Sequence, residues 1–508
     1  MSSTDNDAVT GFRDRIAKTL DDARPEAVTK RHARGGRTAR ENLADLTDGG
    51  SVREYGQLAV AAQRSRRAGD ALYADTAADA VITAVGAVNA DLFTEPHNQT
   101  ALIINDYAVL AGTQGYFHHR KIDRLLELAA QDTLPVVMFT EGGGGRPGDT
   151  DVLVSMAGLN VPTFHRWAAL AGVVPRIAVN HGYCFAGNAA LFGAADLRIA
   201  TEASCIGMAG PAMIEGGGLG SWQPKDIGPV AVHRLNGVVD IVVADEAEAV
   251  AMAKKVLACV QGDLTDWEAH DQSLLAGMMP TNRRYAFDVR KIVRQLFDVD
   301  SFVEMRPEMG RAIVTGVARI EGKAVAVLAS DCRHLGGAID GESAMKATAL
   351  YELASRWQLP VVSLIDTPGF MVGPESEAAG APRLMSELFV AGAALDQPII
   401  AVFMRRAYGL GAMAMTGGSF EVPRYAVSWP QGEFGAMGLE GAVHLGFRQE
   451  LANAPDEAAR QALYESLLAD MYQRGRATEA ATYLEIDAVI DPSETRAAIA
   501  GALAGSRR

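Results

Sequence analysis

Lys346–Gly369 reads KATALYELASRWQLPVVSLIDTPG, and Lys121–Gly144 reads KIDRLLELAAQDTLPVVMFTEGGG. The spacing between them is constant: 346 − 121, 353 − 128 and 360 − 135 all equal 225. Laid without a gap over Ala326–Ile365, Ala101–Thr140 matches it at 13 of 40 positions, among them Asp106/Asp331, Gly112/Gly337 and Glu127/Glu352. Shared helix propensity does not produce identities in turns and strands as well. The chain reads as two copies of one αβ domain.

Each copy extends outward in the same way. Apolar β-branched runs at Ala80–Val88 and Ala101–Asp106 predict paired strands, and Val314–Ile320 with Lys323–Ser330, joined at Glu321-Gly322, repeat that hairpin. A glycine turn follows, then a helix with Ile122, Leu125, Leu126 and Ala129 on one face. In the second copy that face is Met345, Ala349, Leu350, Leu353 and Trp357. A short strand after Pro135 or Pro360 ends in glycines, and strand–helix–strand order implies parallel pairing. Both copies then enter another strand and a Gly-rich turn, RIAVNHGYCFAG at 176–187 and IIAVFMRRAYGLG at 399–411, where the offset slips to 411 − 187 = 224. The charged, helical stretch 240–300 holds the domain boundary, placed so that the domains are 1–270 and 271–508. A long helix over 455–474, a short strand over 486–490 and a helix capped by Asp491 with Pro492 and Glu494 close the chain.

Composition narrows the class. With 62 acidic against 47 basic side chains the net charge is −15, which disfavours nucleic acid as a partner. The 4 cysteines form no C-x₂-C pair, which argues against a structural zinc or a disulfide framework and suits a reducing cytoplasm. The first residues lack a charged-then-apolar signal pattern, and the most apolar region is interrupted by Arg176, Asn180 and His181, so no membrane span is expected. No G-x-S-x-G, H-E-x-x-H or P-loop is present, and His118-His119 points to two sides of a helix.

The Gly turns offer a different chemistry. Where a strand turns sharply into a helix, the first N–H groups lack intrahelical acceptors and lie at the positive end of the helix dipole. Ala186 with Gly187, and Leu410 with Gly411, could each present two donors to a developing oxyanion, each worth roughly 3–4 kcal/mol in the transition state. Such a site needs backbone geometry rather than a conspicuous His or Cys.

At these residues the chain resembles the carboxyltransferase β subunit of biotin-dependent acyl-CoA carboxylases (the acetyl-, propionyl- and methylcrotonyl-CoA enzymes). The motifs are ARGGRTARENLADLTDGG, HHRKIDRLLELA, EGGGGRPG and GYCFAGNAALFGAADL in the first half. VTGVARIEGKAVAV, LPVVSLIDTPGF, RRAYGLGAMAM, WPQGEFGAMGLEGAV and IDPSETR carry it through the second. The resemblance implies an α/β fold of two tandem crotonase-like (ClpP/crotonase) domains, acyl-CoA on the first and biotin on the second. It implies that CO₂ passes from carboxybiotin to an acyl-CoA, at the α carbon or a vinylogous γ carbon. Leu410 and Gly411 would hold the oxygen of the biotin ureido anion, that anion would take the substrate proton, and Ala186 and Gly187 would hold the thioester enolate. Gly337, Gly369, Phe370, Tyr408 and Gly409 would line the biotin side. Gly112, Gly143, Gly144, Arg146, Arg37 and Met413 would line the substrate side, with Arg31, Arg34 and Arg40 as further candidates for the CoA phosphates. No metal is expected. Biotin carboxylase and biotin carboxyl carrier protein would be other chains, and the assembly a homo- or hetero-hexamer, a trimer of dimers in which the first domain of one subunit faces the second domain of another.

The chain departs from the family at several points. Gly142–Arg146 reads GGGGR where S-G-G-A-R is common, so a hydroxyl is missing. Ala209-Gly210-Pro211 and the segment Glu215–Gly228 (EGGGLGSWQPKDIG) replace the usual T-G-P…T-G-E. Leu410-Gly411 and the apolar Met413 differ from propionyl-type members and lie closer to methylcrotonyl-type ones, leaving the acyl group open. A biotin-dependent decarboxylase running the step backward and a non-catalytic scaffold are the alternatives, with a crotonase-type hydratase weaker. Ala344-Met345-Lys346-Ala347 echoes a biotin attachment site, but its Lys falls in an amphipathic helix.

Overall fold

The computed structural model describes residues 3–67, 69–151 and 160–504, and falls into two compact units, 1–262 and 263–508. In the first, strands β1 (Arg53–Tyr55), β2 (Val81–Ala87), β3 (Gln99–Asn105), β4 (Val136–Phe139), β5 (Arg176–Asn180), β7 (Leu197–Thr201) and β9 (Ile241–Val243) form one sheet in that order. β6 (Tyr183–Phe185) and β8 (Cys205–Gly207) pair separately. In the second, β10 (Val303–Met305), β11 (Ile313–Ile320), β12 (Lys323–Ser330), β13 (Val361–Thr367), β14 (Ile399–Tyr408), β15 (Tyr425–Ser428) and β17 (Ala488–Val489) form the sheet, and β16 (Glu433–Gly435) pairs with β14. The first three strands of each sheet are antiparallel, and the pairings after them are parallel.

Local sequence explains these elements. Glu321 and Gly322 both have positive φ (50° and 77°), the conformation a two-residue hairpin turn needs to match strand twist. The helices Tyr116–Asp132 and Gly341–Trp357 both end on a left-handed residue, Thr133 and Gln358 (358 − 133 = 225). Ile122, Leu125, Leu126 and Ala129 are buried as the periodicity predicts. In the second helix the buried stripe is Ala347, Leu350, Tyr351, Leu353, Ala354 and Trp357, while Met345, expected inside, is exposed. That stripe keeps the register of the first helix, Ala347, Leu350, Tyr351 and Ala354 standing at Ile122, Leu125, Leu126 and Ala129, and the lysine before it is buried in both. Lys121 and Lys346 are buried and donate Nζ to backbone carbonyls, Ala78 and Val81 in the first unit, Met309 and Ile313 in the second. Lys346 is thus a buried scaffold residue within the helix.

The duplication also reaches further back than the repeat itself. Thr38 and Asp288 cap matching helices (Ala39–Leu46 and Val289–Leu296), and Arg40–Glu54 recurs as Arg290–Glu304, each at an offset of 250. Each unit closes on its own apolar core, around Ile103, Trp167 and Phe192 in one and Val327, Val402 and Trp429 in the other. Each such fully buried side chain contributes about 1.5–3 kcal/mol. No helix among the described residues is long and apolar enough to cross a membrane.

Candidate functional site

In the first unit, β4 ends in the glycine loop 142–145 and β6 turns directly into the helix Gly187–Gly193. The two are joined by Asn188, fully buried, whose Oδ1 accepts from Gly144 N–H (3.0 Å) and whose Nδ2 donates to Thr140 O (3.1 Å). The approach is close enough to require glycine: a Cβ at Gly142 would stand 2.4 Å from Gly112 O, and one at Gly112 2.5 Å from Glu141 O. Gly143 donates to Ala111 O. Among the described residues, Gly187 N–H at the helix start and Gly145 N–H in the loop have no acceptor. Ala186, by contrast, donates to Gly207 O (2.9 Å), so it is not the free oxyanion donor expected of it. Its positive φ (51°) turns its N–H toward β8.

The second unit builds the same device. A Cβ at Gly411 would meet the carbonyl carbon of Gly369 at 2.7 Å and Phe370 N at 2.9 Å. One at Gly337 would stand 2.7 Å from Asp366 O, and one at Gly409 2.9 Å from Ala436 O. Thr367 Oγ1 ties the loop together by donating to Gly337 O (2.8 Å). The N–H groups of Phe370, Leu410 and Gly411 have no acceptor among the described residues. Gly337, Gly369, Phe370, Tyr408, Gly409, Leu410 and Gly411 therefore gather at one place. The Tyr408 hydroxyl donates to Glu433 (2.9 Å).

Strand pairing corrects the register of the two turns. Val136 pairs with Arg176 and Val361 with Ile399; 361 − 136 = 225, but 399 − 176 = 223. At an offset of 223, Gly409 corresponds to Ala186, both with positive φ, Leu410 to Gly187, and Gly411 to Asn188. The expected equivalence of Gly187 with Gly411 is off by one residue.

The remaining expected residues divide. Arg146 is spent internally, on Asp79, Asp149 (3.3 Å) and Thr113 O (2.6 Å), and stiffens the loop rather than reaching a ligand. Arg31 forks onto Glu141 (2.9 and 2.5 Å), and Arg40 onto Glu54 (2.6 and 3.1 Å). Arg37 pairs with Asp45 near the surface (2.8 Å), and Arg34 is exposed. Met413 is partly buried in the helix Gly409–Met415. The divergent segment after Gly210 exposes Met213, Leu219 and Trp222.

Two buried carboxylates escaped the sequence reading. Glu141 precedes the first glycine loop; burial pushes its carboxyl up to about 7 despite Arg31, with Glu246 nearby raising it further. Asp366 holds the twin position (366 − 141 = 225), where burial is overcome by Arg406 and Arg405, which keep it below the usual carboxylate range. Asn188 was also missed. The only signal for it was a polar residue opening an otherwise small, apolar helix.

The carboxyl transferase domain model matches residues 30–507. The chain is 28% identical over 502 residues to the β4 subunit of a biotin-dependent long-chain acyl-CoA carboxylase of Mycobacterium tuberculosis, covering 96% of this chain and 91% of that one. It is 28% identical to the methylmalonyl-CoA carboxyltransferase 12S subunit of Propionibacterium freudenreichii subsp. shermanii, covering 94% and 90%. Among solved structures, a single-chain, multi-domain long-chain acyl-CoA carboxylase superposes with a TM-score of 0.91 at 50% identity over 99% of this chain, which spans only 49% of that protein. The hexameric transcarboxylase 12S core superposes with a TM-score of 0.86 at 25% identity over 100% of this chain and 97% of that one. Two crotonase-type domains in tandem, each ending a strand in a helix-start turn against a glycine loop, accord with these matches, and the chain belongs to the carboxyl transferase family that includes the β subunits of acyl-CoA carboxylases.

Proposed function

We propose that the chain is the carboxyltransferase component of a biotin-dependent acyl-CoA carboxylase, with the acyl thioester on the first unit and biotin on the second. The observation that carries this reading is the pair of helix-start turns, one per unit, each with unpaired N–H groups beside a glycine loop. Carboxylation of an acyl-CoA develops negative charge on two oxygens, one on the thioester and one on the ureido group, and so uses two such sites. Bound carboxybiotin would supply CO₂ and, with it lost, a ureido anion basic enough to take the substrate proton.

The residues fit that group. Leu410 and Gly411 N–H, with Phe370 N–H opposite, form a concave set of donors that a Cβ at Gly411 would fill. On the first unit, Gly187 N–H and Gly145 N–H face the thioester oxygen. As the Cα–H bond breaks, its electron pair is held as enolate on that oxygen, and then forms the C–C bond to CO₂. No side-chain base is needed. Arg34, exposed, and Arg37, paired with Asp45 near the surface, would meet the CoA phosphates, and the carboxylase and carrier functions would come from other chains.

Reconstitution with biotin carboxylase, biotinylated carrier, ATP, bicarbonate and a panel of acyl-CoAs tests this. Carboxylated acyl-CoA that depends on all components is the expected product. Decarboxylation of malonyl-type CoA without any carboxylation would reverse the assigned direction, and full complex activity with Gly411→Pro would sink the catalytic role.

A further inference from the structure

The first turn holds a polar group that the second lacks. Gln114 is only 4% exposed, and its Nε2 is buried without a hydrogen-bond partner. Its side chain lies against the helix start: a Cβ at Gly187 would stand 2.1 Å from Gln114 Oε1 and 3.1 Å from its amide carbon. Leaving such an amide donor unpaired costs about 1–3 kcal/mol, so its retention calls for an explanation.

The fold does not demand it. Gln114 N–H donates to Gly144 O and Gln114 O accepts from Arg146 N–H, the same bridge that Ile339 makes with Gly369 O and Met371 N–H. At the twin position (339 − 114 = 225) an apolar side chain therefore serves the same backbone. Nor is Gly187 without a Cβ for reasons of backbone strain, since its φ lies outside the left-handed range. The missing Cβ makes room for the Gln114 amide, where Leu410 in the second unit carries a full side chain turned outward at 60% exposure. Phe164 forms the outer wall: its ring tip would lie 3.1 Å from a Cβ at Gly187, and the residue is 38% exposed.

We infer that Gln114 is a catalytic residue of the acyl side: its amide, whose oxygen rests at the helix start, turns over about its last side-chain bond once the acyl group displaces the Phe164 ring, so that Nε2–H donates to the thioester oxygen. This rests on the acyl-CoA reading given above. The side chain then adds a third donor to Gly187 and Gly145 N–H, and its hydrogen bond strengthens as that oxygen takes up enolate charge. The second unit has Ile339 there, so this donor belongs to the thioester site alone.

The test compares the full chain with Gln114→Leu and Gln114→Glu, using two matched pairs of probes: propionyl-CoA with S-propyl-CoA and octanoyl-CoA with S-octyl-CoA. The thioethers lack the carbonyl oxygen. Wild type is expected to prefer thioester over thioether, and Gln114→Leu to lose about tenfold of that preference while binding the thioether as well as wild type does. In the reconstituted complex, kcat should fall about a hundredfold with KM little changed. Gln114→Glu, which places a carboxylate beside the developing charge, should fall at least as far. A Gln114→Leu enzyme that melts at the wild-type temperature and keeps both kcat and the thioester preference overturns the inference but leaves the acyl-CoA reading intact. Binding of no probe by wild type overturns both.

Discussion

The two helix-start turns share a backbone plan and differ in nearly every side chain around it. In the first unit the space between the N-terminal arm and the sheet is filled by Arg31, Glu141 and Glu246, leaving a cavity of about 10 Å³. In the second the corresponding space is an open pocket of about 340 Å³ bordered by Arg283, Arg284, Arg405, Arg406 and Tyr408. What recurs is scaffold: Lys121 and Lys346, Asp106 and Asp331, Arg40–Glu54 and Arg290–Glu304. What differs sits at the turns: Gln114 against Ile339, Gly187 against Leu410, Asn188 against Gly411. Repetition marks the residues that fold the domain, and divergence marks those that tell the two sites apart. By that criterion Arg40, one of the arginines expected at CoA, is a fold residue.

The strongest test of the contrast is Arg31→Met. It leaves Glu141 and Glu246 buried without their shared cation, and breaking a buried pair in this way costs about 3–5 kcal/mol. The second unit cannot lose its acid this way, because Asp366 has two arginine partners on its own sheet. Urea unfolding should show the first unit's transition shifted and the second's unmoved. A single, unshifted transition would mean that the arm does not stabilise the first unit.

Gly411→Ala comes next. The added Cβ would press on the backbone of Gly369 and Phe370, which cannot give way as a flexible side chain can. Loss of the donor geometry should lower kcat about 10²–10³-fold, and the forced backbone shift should lower stability by about 1–3 kcal/mol; a variant with wild-type kcat would show that the close approach is not needed for activity. Asn188→Ala tests the same place in the first unit. It leaves Gly144 N–H and Thr140 O unpaired inside the protein, for about 1–3 kcal/mol of stability as well as activity. If Asn188→Ala melted at the wild-type temperature, the tie between loop and helix would carry no stability.

This contrast also explains what the sequence could reveal. The 225-residue repeat was readable because it lies in a helix and a strand, where periodicity and the L-P-V-V block fix the register. The one-residue error arose between them. From the loop glycine to the next strand there are 176 − 144 = 32 residues in one copy and 399 − 369 = 30 in the other. With two residues lost, aligning Gly187 with Gly411 rewards an identity that only strand pairing can refuse. Asn188 and Gln114 were hard to read for a related reason: each lies against residues distant in sequence, Gly144 and Thr140 for one and Gly187 for the other, and a lone amide has no spacing to mark it. Met345 lies outside because the second helix keeps the register of the first, with Ala347, Leu350, Tyr351 and Ala354 standing where Ile122, Leu125, Leu126 and Ala129 do.

The smallest effect probes what the units share. Burial pushes Lys346 down to about 7 and Lys121 down to about 8, far below the ordinary range near 10.4. A lysine depressed in the folded state binds fewer protons there than in the unfolded chain between those two values. Stability therefore rises with pH across that window, by at most about 1.4 kcal/mol per pH unit for each lysine, and is lost as pH falls toward the folded value. Lys346→Met should flatten the second unit's part of the rise between about pH 7 and 10, and Lys121→Met the first unit's part from about pH 8. Both lysines hold turn carbonyls at the start of a sheet, so each variant also removes two hydrogen bonds. A variant that keeps the wild-type pH slope while losing stability would show the lysine acting through those bonds alone. Equal flattening by the two variants would place this property in the duplicated scaffold, apart from the residues that distinguish the sites.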